Sequence, residues 1–403
     1  MSVTVPLLGW LRTPVAPRHG ALRHRAPHEL MAPLIKALLA RTGVPPTAVD
    51  AVILGNALGA GGNPARLGML AAGLPECCHA VSLDTQCCAG LDAIRMSASL
   101  LLAGQADILI AGGVEAWSRA PIRQHRPWET GQSPISYERP AFTPWPEQDP
   151  DPIEAAVRYA AQHGWTRAQQ DDYARQAHQR AVTWAAGMDA NQPILPLDGL
   201  VADSYPRLLA ERLLPRLPVQ QAAHDPAGTD CSLSLLAISP EADGAAVVLM
   251  TSPAACQRFG LQPQAHWVDG LSVGTDPTNP MLGAQVAARQ LLARHGLHPE
   301  MLASVELHDA FAVQGLAFQK ALGLAPWQLN PGGGGLARGH PIGASGAIAL
   351  VDLLQRLVED RKRQKKGCEL PPMANAPRAG TTGFGLAAIA AAGGLGAAAL
   401  VRH

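Results

Sequence analysis

The stretch VSLDTQCCAGLDAIRMSASLLLAGQADILIAGG, residues 81–113, predicts a strand–helix–strand unit with a cysteine at its first bend. The first residues are typical of a buried strand. Apolar residues then recur at the spacing of one helical face, at Leu91, Ile94, Ala98 and Leu101. A second strand follows at 106–111. Cys87 therefore lies where a strand gives way to a helix.

A cysteine at this bend has a chemical use. The first N–H groups of a helix lack partners within the helix, and the helix dipole puts partial positive charge there. We expect this charge to lower the pKa of Cys87 and favour its nucleophilic thiolate. We also expect Gly90 to leave room for a substrate carbonyl and the Cys87 N–H to donate to an oxyanion. A cysteine pair alone, however, more often consists of two small buried residues.

Composition limits the class of protein. The chain has 403 residues, 47% of them hydrophobic and 16% charged, which predicts two or three globular domains. Lysine plus arginine equals aspartate plus glutamate at 32 each, so we expect no nucleic-acid partner. No apolar run predicts a membrane span. Seven cysteines without C-x-x-C spacing indicate free thiols in a reducing compartment and no metal site. We therefore expect a cytoplasmic protein.

Strand and helix patterns alternate in the first and last parts of the chain. Such alternation predicts a mostly parallel sheet covered by helices. The glycine-rich run GGGG before a long amphipathic helix repeats the turn and helix at Cys87, which indicates an internal duplication. The predicted strands are 3–10, 49–54, 106–111, 247–250, 268–273, 304–307, 385–390 and 397–401, and the main helices are 29–39, 64–72, 282–294 and 313–322.

The middle of the chain breaks this pattern. Residues 117–225 are rich in proline, aromatic and charged residues and contain one long helical segment, 152–186. Long excursions of this kind often cover a site. We expect a turn at 242–244, a solvated basic helix end at 361–366 and a loop at 368–380. The predicted domains are an N-terminal half (1–116 and 226–251), an inserted loop domain (117–225) and a C-terminal half (252–403).

Five motifs, in this order, resemble the thiolase family, enzymes that make or cleave β-ketoacyl-CoA by Claisen chemistry. They are RTPVAPRHGAL (12–22), DTQCCAGLDAI (84–94), AGGVEAWSRAP (111–121), HDAFAVQ (308–314) and GHPIGASGA (339–347). Several spaced motifs are far more specific than one glycine-rich match. The resemblance implies an α/β thiolase fold: two similar βαβαβαββ halves form a five-layered α-β-α-β-α core, with an inserted loop domain.

The resemblance also implies roles for the motif residues. Cys87 is the nucleophile that takes an acyl group from a coenzyme A thioester. His340 is its general base and then a donor to the thioester oxygen, as suits a side chain that titrates near neutrality. His308 holds a water or a substrate oxygen in an oxyanion hole, and Asp309 orients its neighbours.

Three further positions follow from the same resemblance. Ser239 and Gly343 are predicted substrate contacts, and the backbone N–H of Ala392 completes an oxyanion hole with Cys87. The family binds acyl-CoA as substrate and carries no covalently bound cofactor or metal. It dimerises through its core sheets, so we expect a homodimer or homotetramer with a role in lipid metabolism.

The chain departs from the family near its C-terminus. Thiolases present C-x-G-G-G-x-G, whose cysteine exchanges the α-proton of the second acyl-CoA. Ungapped alignment puts Ala390 at that cysteine and Ala392 at the first glycine. One thiolase branch supplies the cysteine from H-D-C-F instead, and here that position is Ala310. The acid/base thiol is absent from both places.

Three functions therefore stay open. The first is acetyl-CoA C-acyltransferase-type Claisen condensation or cleavage, with His308 as substitute base. The second keeps the acyl-Cys87 step but uses a decarboxylating, hydroxyl or phenol acceptor, since Cys87, His308 and His340 resemble the Cys-His-His set of decarboxylating ketosynthases. The third is a weakly catalytic subunit that supports a partner protein, which the intact Cys87 and His340 oppose.

The nucleophile assignment predicts a difference between adjacent cysteines. With labelled acetyl-CoA, Cys87→Ala should abolish covalent acyl labelling, because the attacking sulfur is gone. Cys88→Ala is the matched control and should keep the label. If Cys87→Ala kept the label, or if only Cys88→Ala lost it, the assignment of Cys87 as the nucleophile would be wrong and Cys88 would be the candidate.

Overall fold

A computed structural model describes residues 4–59, 61–187, 193–365 and 383–403. Its first part alternates strands and helices, as the sequence predicts. The elements are β1 (Val5–Arg12), β2 (Ala16–Pro17), α1 (Pro27–Thr42), β3 (Ala51–Gly55), α2 (Pro64–Ala71), β4 (His79–Leu83), α3 (Ala89–Leu102) and β5 (Ile108–Ala116).

The ends of these helices follow local sequence chemistry. Helix α1 starts at Pro27, whose missing N–H costs nothing at that position, and the Glu29 carboxylate accepts the N–H of Ala26 at 2.8 Å. It stops at Gly43, which adopts the left-handed conformation with φ 72°. Asn63 caps α2 by accepting the N–H of Arg66.

The middle region carries short strands and two helices. They are β6 (Gln124–His125), β7 (Ile135–Ser136), α4 (Pro152–His163), α5 (Arg167–Ala186), β8 (Val219–Gln221) and β9 (Leu233–Ser234). The single predicted helical segment is thus two helices. Gly164 ends the first in the left-handed conformation, and Thr166 caps the second.

The last part opens with β10, which completes the first half, and from β11 onward it resembles the first part. Its elements are β10 (Ala242–Thr251), α6 (Pro253–Arg258), β11 (Ala265–Gly274), α7 (Gly283–Arg294), β12 (Ser304–His308), α8 (Ala312–Leu322), α9 (Gly334–Arg338), α10 (Ser345–Lys365), β13 (Phe384–Ala391) and β14 (Leu395–Arg402). The predicted loop at 368–380, and residue 366 of the predicted basic helix end, lie outside the described residues.

Strand pairing shows the duplication directly. The main hydrogen-bonded path runs β12-β13-β14-β11-β1-β10-β5-β3-β4. Outward from the central β11–β1 pair, the order β1-β10-β5-β3-β4 in one half corresponds to β11-β14-β13-β12 in the other. The parallel β3–β4 pair has its counterpart in a single parallel bridge between Val305 and Leu329. Helices α3 and α10 hold equivalent places in the two halves.

The core forms five layers. Helices α3 and α10 lie between the two halves of the sheet, where buried residues from both helices and both sheets form one apolar cluster, including Leu91, Ile94, Val248, Leu350 and Ile389. A second cluster packs α1 and α2 on the outer face of one half. A third packs α7 and α8 on the outer face of the other. The predicted thiolase-type α/β fold is confirmed in this arrangement.

Two finer predictions are wrong. The sheet is mixed, because β10 returns antiparallel to both β1 and β5, and β13 and β14 form a hairpin. The predicted turn at 242–244 is the start of β10. Buried Asp243 accepts hydrogen bonds there from the backbone N–H and hydroxyl of Ser118, at 2.9 and 2.6 Å, so a polar residue is satisfied within a strand. Within the described ranges, no helix is long and apolar enough to cross a membrane.

Candidate active site

Cys87 lies at the bend between β4 and α3, as predicted. A short 3₁₀ turn, Gln86–Cys88, joins the two elements. Gln86 has φ 55°, a conformation that non-glycine residues seldom adopt. The Asp84 carboxylate accepts the Gln86 N–H at 2.7 Å and thereby holds this backbone in place. The strained bend presents the Cys87 sulfur at the N-terminal end of α3.

His340 comes from the other half of the fold and meets Cys87 directly. Its Nε2 lies 3.2 Å from the Cys87 Sγ. Its Nδ1 lies 2.8 Å from the Ser345 Oγ, and the Ser345 hydroxyl donates to the Pro341 carbonyl at 2.9 Å. Since that hydroxyl has one proton and uses it on Pro341, its oxygen must accept from the His340 Nδ1–H. The lone pair of Nε2 therefore faces the thiol.

Burial sets the protonation states of this pair. It raises the pKa of Cys87 to about 12, although the N–H groups of Ala392 and Cys87 itself act in the opposite direction. Burial also lowers the pKa of His340 to about 4. The expected thiolate, favoured by the start of the helix, is thus wrong for the free enzyme, because loss of solvation outweighs the dipole. The resting pair is a neutral thiol and a neutral imidazole.

Two backbone N–H groups act on the Cys87 thiol. Those of Ala392 and of Cys87 itself lower its pKa against the larger effect of burial. Ala392 lies in the turn between β13 and β14, which continues through Gly393 and Gly394, both with positive φ. Backbone donors near this sulfur could bind the oxygen of a thioester bonded to it, and the oxyanion role of Ala392 stays a prediction.

His308 ends β12 beside His340. The two ring centroids are 4.2 Å apart, with the rings tilted by 31°. His308 is 2% exposed, and its Nε2 has no hydrogen-bond partner in the described part of the chain. Burial, with His340 and Arg338 nearby, lowers the pKa of His308 well below its usual value. The ring is therefore neutral and has an uncommitted nitrogen.

Asp309 and Ser239 hold the surrounding loops. The Asp309 carboxylate accepts the Tyr173 hydroxyl at 2.8 Å and the Leu336 N–H at 3.1 Å. The Ser239 hydroxyl donates to the Gly335 carbonyl at 2.7 Å. Asp309 thus contacts the inserted region and α9. Ser239 is buried with its hydroxyl engaged, and its contact with substrate stays a prediction.

Gly343 lies in the loop between α9 and α10 that carries His340, called the histidine loop, and joins it to the first half of the fold. Its N–H donates to the Glu115 Oε2 at 3.0 Å. A Cβ added at Gly113 would lie 2.0 Å from the Gly343 carbonyl oxygen, and one at Gly90 would lie 2.7 Å from it. The interpretation of Gly90 as space for a substrate carbonyl is therefore wrong, because loop backbone fills that space. Gly343 as a substrate contact stays a prediction.

Glu115 is a buried clamp that the sequence analysis missed. Its carboxylate also accepts the Asn56 side-chain amide and the Ala57 N–H, at 2.8 and 2.9 Å. Burial raises the pKa of Glu115 to about 7 against the effect of these donors. Glu115 and Ser345 both stand inside the motifs quoted above. One sequence signal could have identified Ser345: it lies five residues after His340, at the start of the predicted long helix.

The two alanines predicted to stand where thiolases carry a second thiol also lie on the elements that carry the site. Ala390 is near the end of β13, and Ala310 follows His308 and Asp309 directly. Cys88 points elsewhere: its Sγ lies 3.8 Å from the Ile389 carbonyl, and burial raises its pKa well above the usual value. In the described residues, no group of three or more His, Cys, Asp or Glu side chains could hold a metal ion.

A duplicated α/β fold that brings a cysteine from one half against a histidine from the other defines a class of acyltransferases. The Thiolase, N-terminal domain family matches residues 5–254, and the Thiolase, C-terminal domain family matches residues 261–369. The chain belongs to the thiolase family and is a thiolase-family acyltransferase.

Relatives of this chain are similar to it in sequence over most of its length. "Putative acetyl-CoA C-acetyltransferase VraB" of Staphylococcus aureus (strain MRSA252) is 33% identical over 353 residues, covering 85% of this chain and 90% of the relative. The protein of the same name from Staphylococcus haemolyticus is 35% identical over 351 residues, with the same coverage.

Solved structures of similar proteins superpose on nearly the whole chain. The Acat5 thiolase from Ascaris suum, in complex with coenzyme A, superposes with a TM-score of 0.83 at 28% identity, covering 99% of this chain and 100% of that one. The Bacillus anthracis acetyl-CoA acetyltransferase gives 0.82 at 29% identity, covering 99% and 98%.

Ser345→Ala tests the tautomer argument. Without the oxygen that accepts Nδ1–H, His340 is free to turn its proton toward Cys87. We expect the rate of Cys87 acylation by acetyl-CoA to fall roughly tenfold to a hundredfold. Ser97→Ala is the matched control, since Ser97 is equally buried and its hydroxyl donates to the Ala93 carbonyl at 2.8 Å. If both variants lost the same fraction of the acylation rate, the effect of Ser345→Ala would be general destabilisation and not a change of the His340 tautomer.

The neutral resting pair predicts a pH profile. Alkylation by iodoacetamide needs the thiolate, and a raised pKa means that the thiolate fraction grows with pH throughout the range below about 12. The rate at Cys87 should therefore rise about tenfold per pH unit between pH 6 and 9. Peptide mass spectrometry follows Cys87 specifically, with Cys87→Ala as the blank. A flat rate over this range would instead show a thiolate–imidazolium pair.

Proposed function

We propose that this chain transfers acyl groups from acyl-CoA through an acyl-Cys87 intermediate, in an acetyl-CoA C-acetyltransferase type of reaction. The observation that carries the proposal is the 3.2 Å contact between Cys87 Sγ and His340 Nε2, with Ser345 fixing the tautomer. Relatives named for this activity and a neighbour solved with coenzyme A support it. In this proposal a coenzyme A thioester is the substrate and no bound cofactor takes part.

The first half-reaction follows from the neutral pair. His340 Nε2 takes the Cys87 proton as the sulfur attacks the thioester carbonyl, and the oxygen becomes negative between the N–H groups of Ala392 and Cys87. The bond from carbonyl carbon to coenzyme A sulfur then breaks. The proton held by His340 passes to the leaving thiolate, which departs as free coenzyme A.

The second half-reaction forms a carbon–carbon bond. A second acetyl-CoA loses an α-proton to a base, its enolate carbon attacks the acyl-Cys87 carbonyl, and the Cys87–acyl bond breaks to release the Cys87 thiolate. The proton held by the base then returns to the Cys87 sulfur, which restores the neutral thiol. We propose that Ala390 occupies the place of the family's acid/base cysteine. A methyl group takes no proton, so His308 Nε2, buried and without a partner, is assigned as the base.

One observation favours a second candidate. The neutral His308 and His340 rings lie together at 4.2 Å, and Ala390 and Ala310 replace both possible thiols. With a malonyl-type thioester, loss of CO₂ creates the same enolate without removal of a proton. In that reaction the two histidines would only bind the thioester oxygen. The acylation step would be unchanged.

The remaining proposals concern the setting of the enzyme. A homodimer or homotetramer is proposed from the family resemblance, and a cytoplasmic location from the free cysteines predicted by the sequence. The inserted region 117–225 is proposed to cover the acyl-CoA site: the Phe142 carbonyl lies 3.0 Å from a Cβ built on Gly393, next to Ala392. Residues 1–116 with 226–251, and 252–403, are proposed as the two halves.

The test separates the two half-reactions. The enzyme is incubated with labelled acetyl-CoA and the Cys87 peptide is weighed, and then acetyl-CoA, malonyl-CoA and hydroxylated acceptors are offered in turn. We expect acetyl-Cys87, followed by acetoacetyl-CoA from acetyl-CoA alone. If product formed only with malonyl-CoA or a hydroxyl acceptor, the proposed condensation of two acetyl-CoA molecules would be wrong. No acylation at all would contradict the enzyme and favour a subunit that supports a partner protein.

His308→Asn assigns the carbon step. The variant should still form acetyl-Cys87, while condensation of acetyl-CoA falls about a hundredfold or more, because an amide is no base. The control is His178→Asn, which also replaces a fully buried histidine but one that packs against Tyr205. Unchanged condensation in His308→Asn would exclude His308 as the base.

A further inference from the structure

A polar cavity lies next to α9, which precedes the histidine loop, and Cys87 does not line it. It has a volume of about 150 Å³ and is bounded by the end of α5, residues 202–206, α9 and α10. Its charged and aromatic lining consists of Arg12, Trp184, Asp203, Arg338, Asp352 and Arg356. Arg338 stands two residues before His340 in the chain. None of the residues assigned to acyl transfer lines this cavity.

The two carboxylates that line the cavity are already paired. Arg12 donates to both oxygens of Asp203, at 2.7 and 3.0 Å, and to Asp352 at 2.8 Å. The second oxygen of Asp352 accepts Arg338 Nη1 at 2.5 Å. These four groups balance in charge, so neither carboxylate is left to neutralise a further cation.

Two arginines keep unused donors. Arg338 is 3% exposed, and its Nη2 has no hydrogen-bond partner among the described residues. Arg356 is 8% exposed, and its Nε is likewise unpartnered. The carboxylate paired with it, Glu306, is 3.7 Å away, beyond hydrogen-bond length, and neither Glu306 oxygen has a partner in the described part of the chain. Buried charged donors without acceptors are costly.

Trp184 contacts one of these arginines. The Arg356 guanidinium lies 3.9 Å from the centre of the Trp184 ring, a cation–π contact. Both Trp184 and Arg356 line the cavity, together with Arg338. The cavity is therefore lined by two buried guanidinium groups, each with a donor that has no partner among the described residues.

We propose that this cavity binds a small oxyanion, a carboxylate or a phosphate, between Arg338 and Arg356. Oxygen acceptors on a negative group would satisfy both guanidinium groups at once, which water does less well because it carries no charge. The volume limits the ligand to a small anion. The site is distinct from the acyl-CoA site and does not depend on the proposed function.

The test is binding at constant ionic strength. Inorganic phosphate and acetate are titrated separately against the whole protein, with sodium chloride adjusted to keep ionic strength fixed, and followed by thermal melting and calorimetry. We expect a saturable rise in melting temperature with at least one probe, since a ligand of the folded state stabilises it. The stronger probe identifies the oxyanion as phosphate or carboxylate.

Three variants decide where the anion binds. Arg356→Gln should weaken binding about tenfold or more, because one charged donor is lost. Ala185→Leu, which adds bulk at a residue that lines the cavity and leaves every charge in place, should weaken it as well. Arg289→Gln, at an exposed position on α7, makes the same change in net charge and should bind like the parent protein. No saturable binding of either probe, or equal binding in Arg356→Gln and the parent, would overturn the proposal.

Discussion

The close approach of the Gly343 loop to the first half of the fold is the constraint on which the site depends. The Gly343 carbonyl fits where side chains at Gly113 and Gly90 would otherwise stand, and the Glu115 carboxylate binds the Gly343 N–H. These contacts fix the start of α10 against the start of α3. Because His340 precedes one helix and Cys87 the other, the same contacts set the 3.2 Å distance between them. Duplication gives each half a helix that starts at this junction, and each start carries one member of the reacting pair.

Burial then determines how that pair reacts. A helix N-terminus favours a thiolate, but both partners are removed from water, and solvation of a localised charge outweighs a partial dipole charge. The thiol and imidazole are therefore neutral at rest, and in the proposed reaction charge would appear only as the sulfur attacks. The Ser345 hydrogen bond matters for this reason: a neutral imidazole can act as a base toward Cys87 only in the tautomer that leaves Nε2 without a proton, and Ser345 selects that tautomer. The oxyanion donors act in the same step, when the carbonyl oxygen takes up the negative charge.

Much of this was predictable from sequence, and the exceptions have physical causes. The periodicity around Leu91 and Ile94 and the five ordered motifs predicted the fold, the Cys87 bend and the pairing with His340. Sheet direction was missed because an alternating pattern does not show that β10 returns beside β5 without a crossover helix. The role of Gly90 was misjudged because its neighbour, the Gly343 carbonyl, lies 253 residues further along the chain. The sign of the Cys87 pKa shift depends on burial by both halves together, which no local motif encodes.

The site separates into a part that the fold fixes and a part that the side chains leave open. The proposed acyl transfer to Cys87 would use backbone N–H groups and a histidine held by the packing of the two halves, so its parts follow from the architecture. The proposed carbon step needs a group that can exchange a proton at the substrate α-carbon, and a methyl group at Ala390 or Ala310 cannot. His308 lies beside His340, and its Nε2 is buried without a partner in the described structure. In the proposed function, the choice between proton removal and loss of CO₂ therefore depends on the His308 Nε2, and in either case the proposed acyl-Cys87 intermediate comes first.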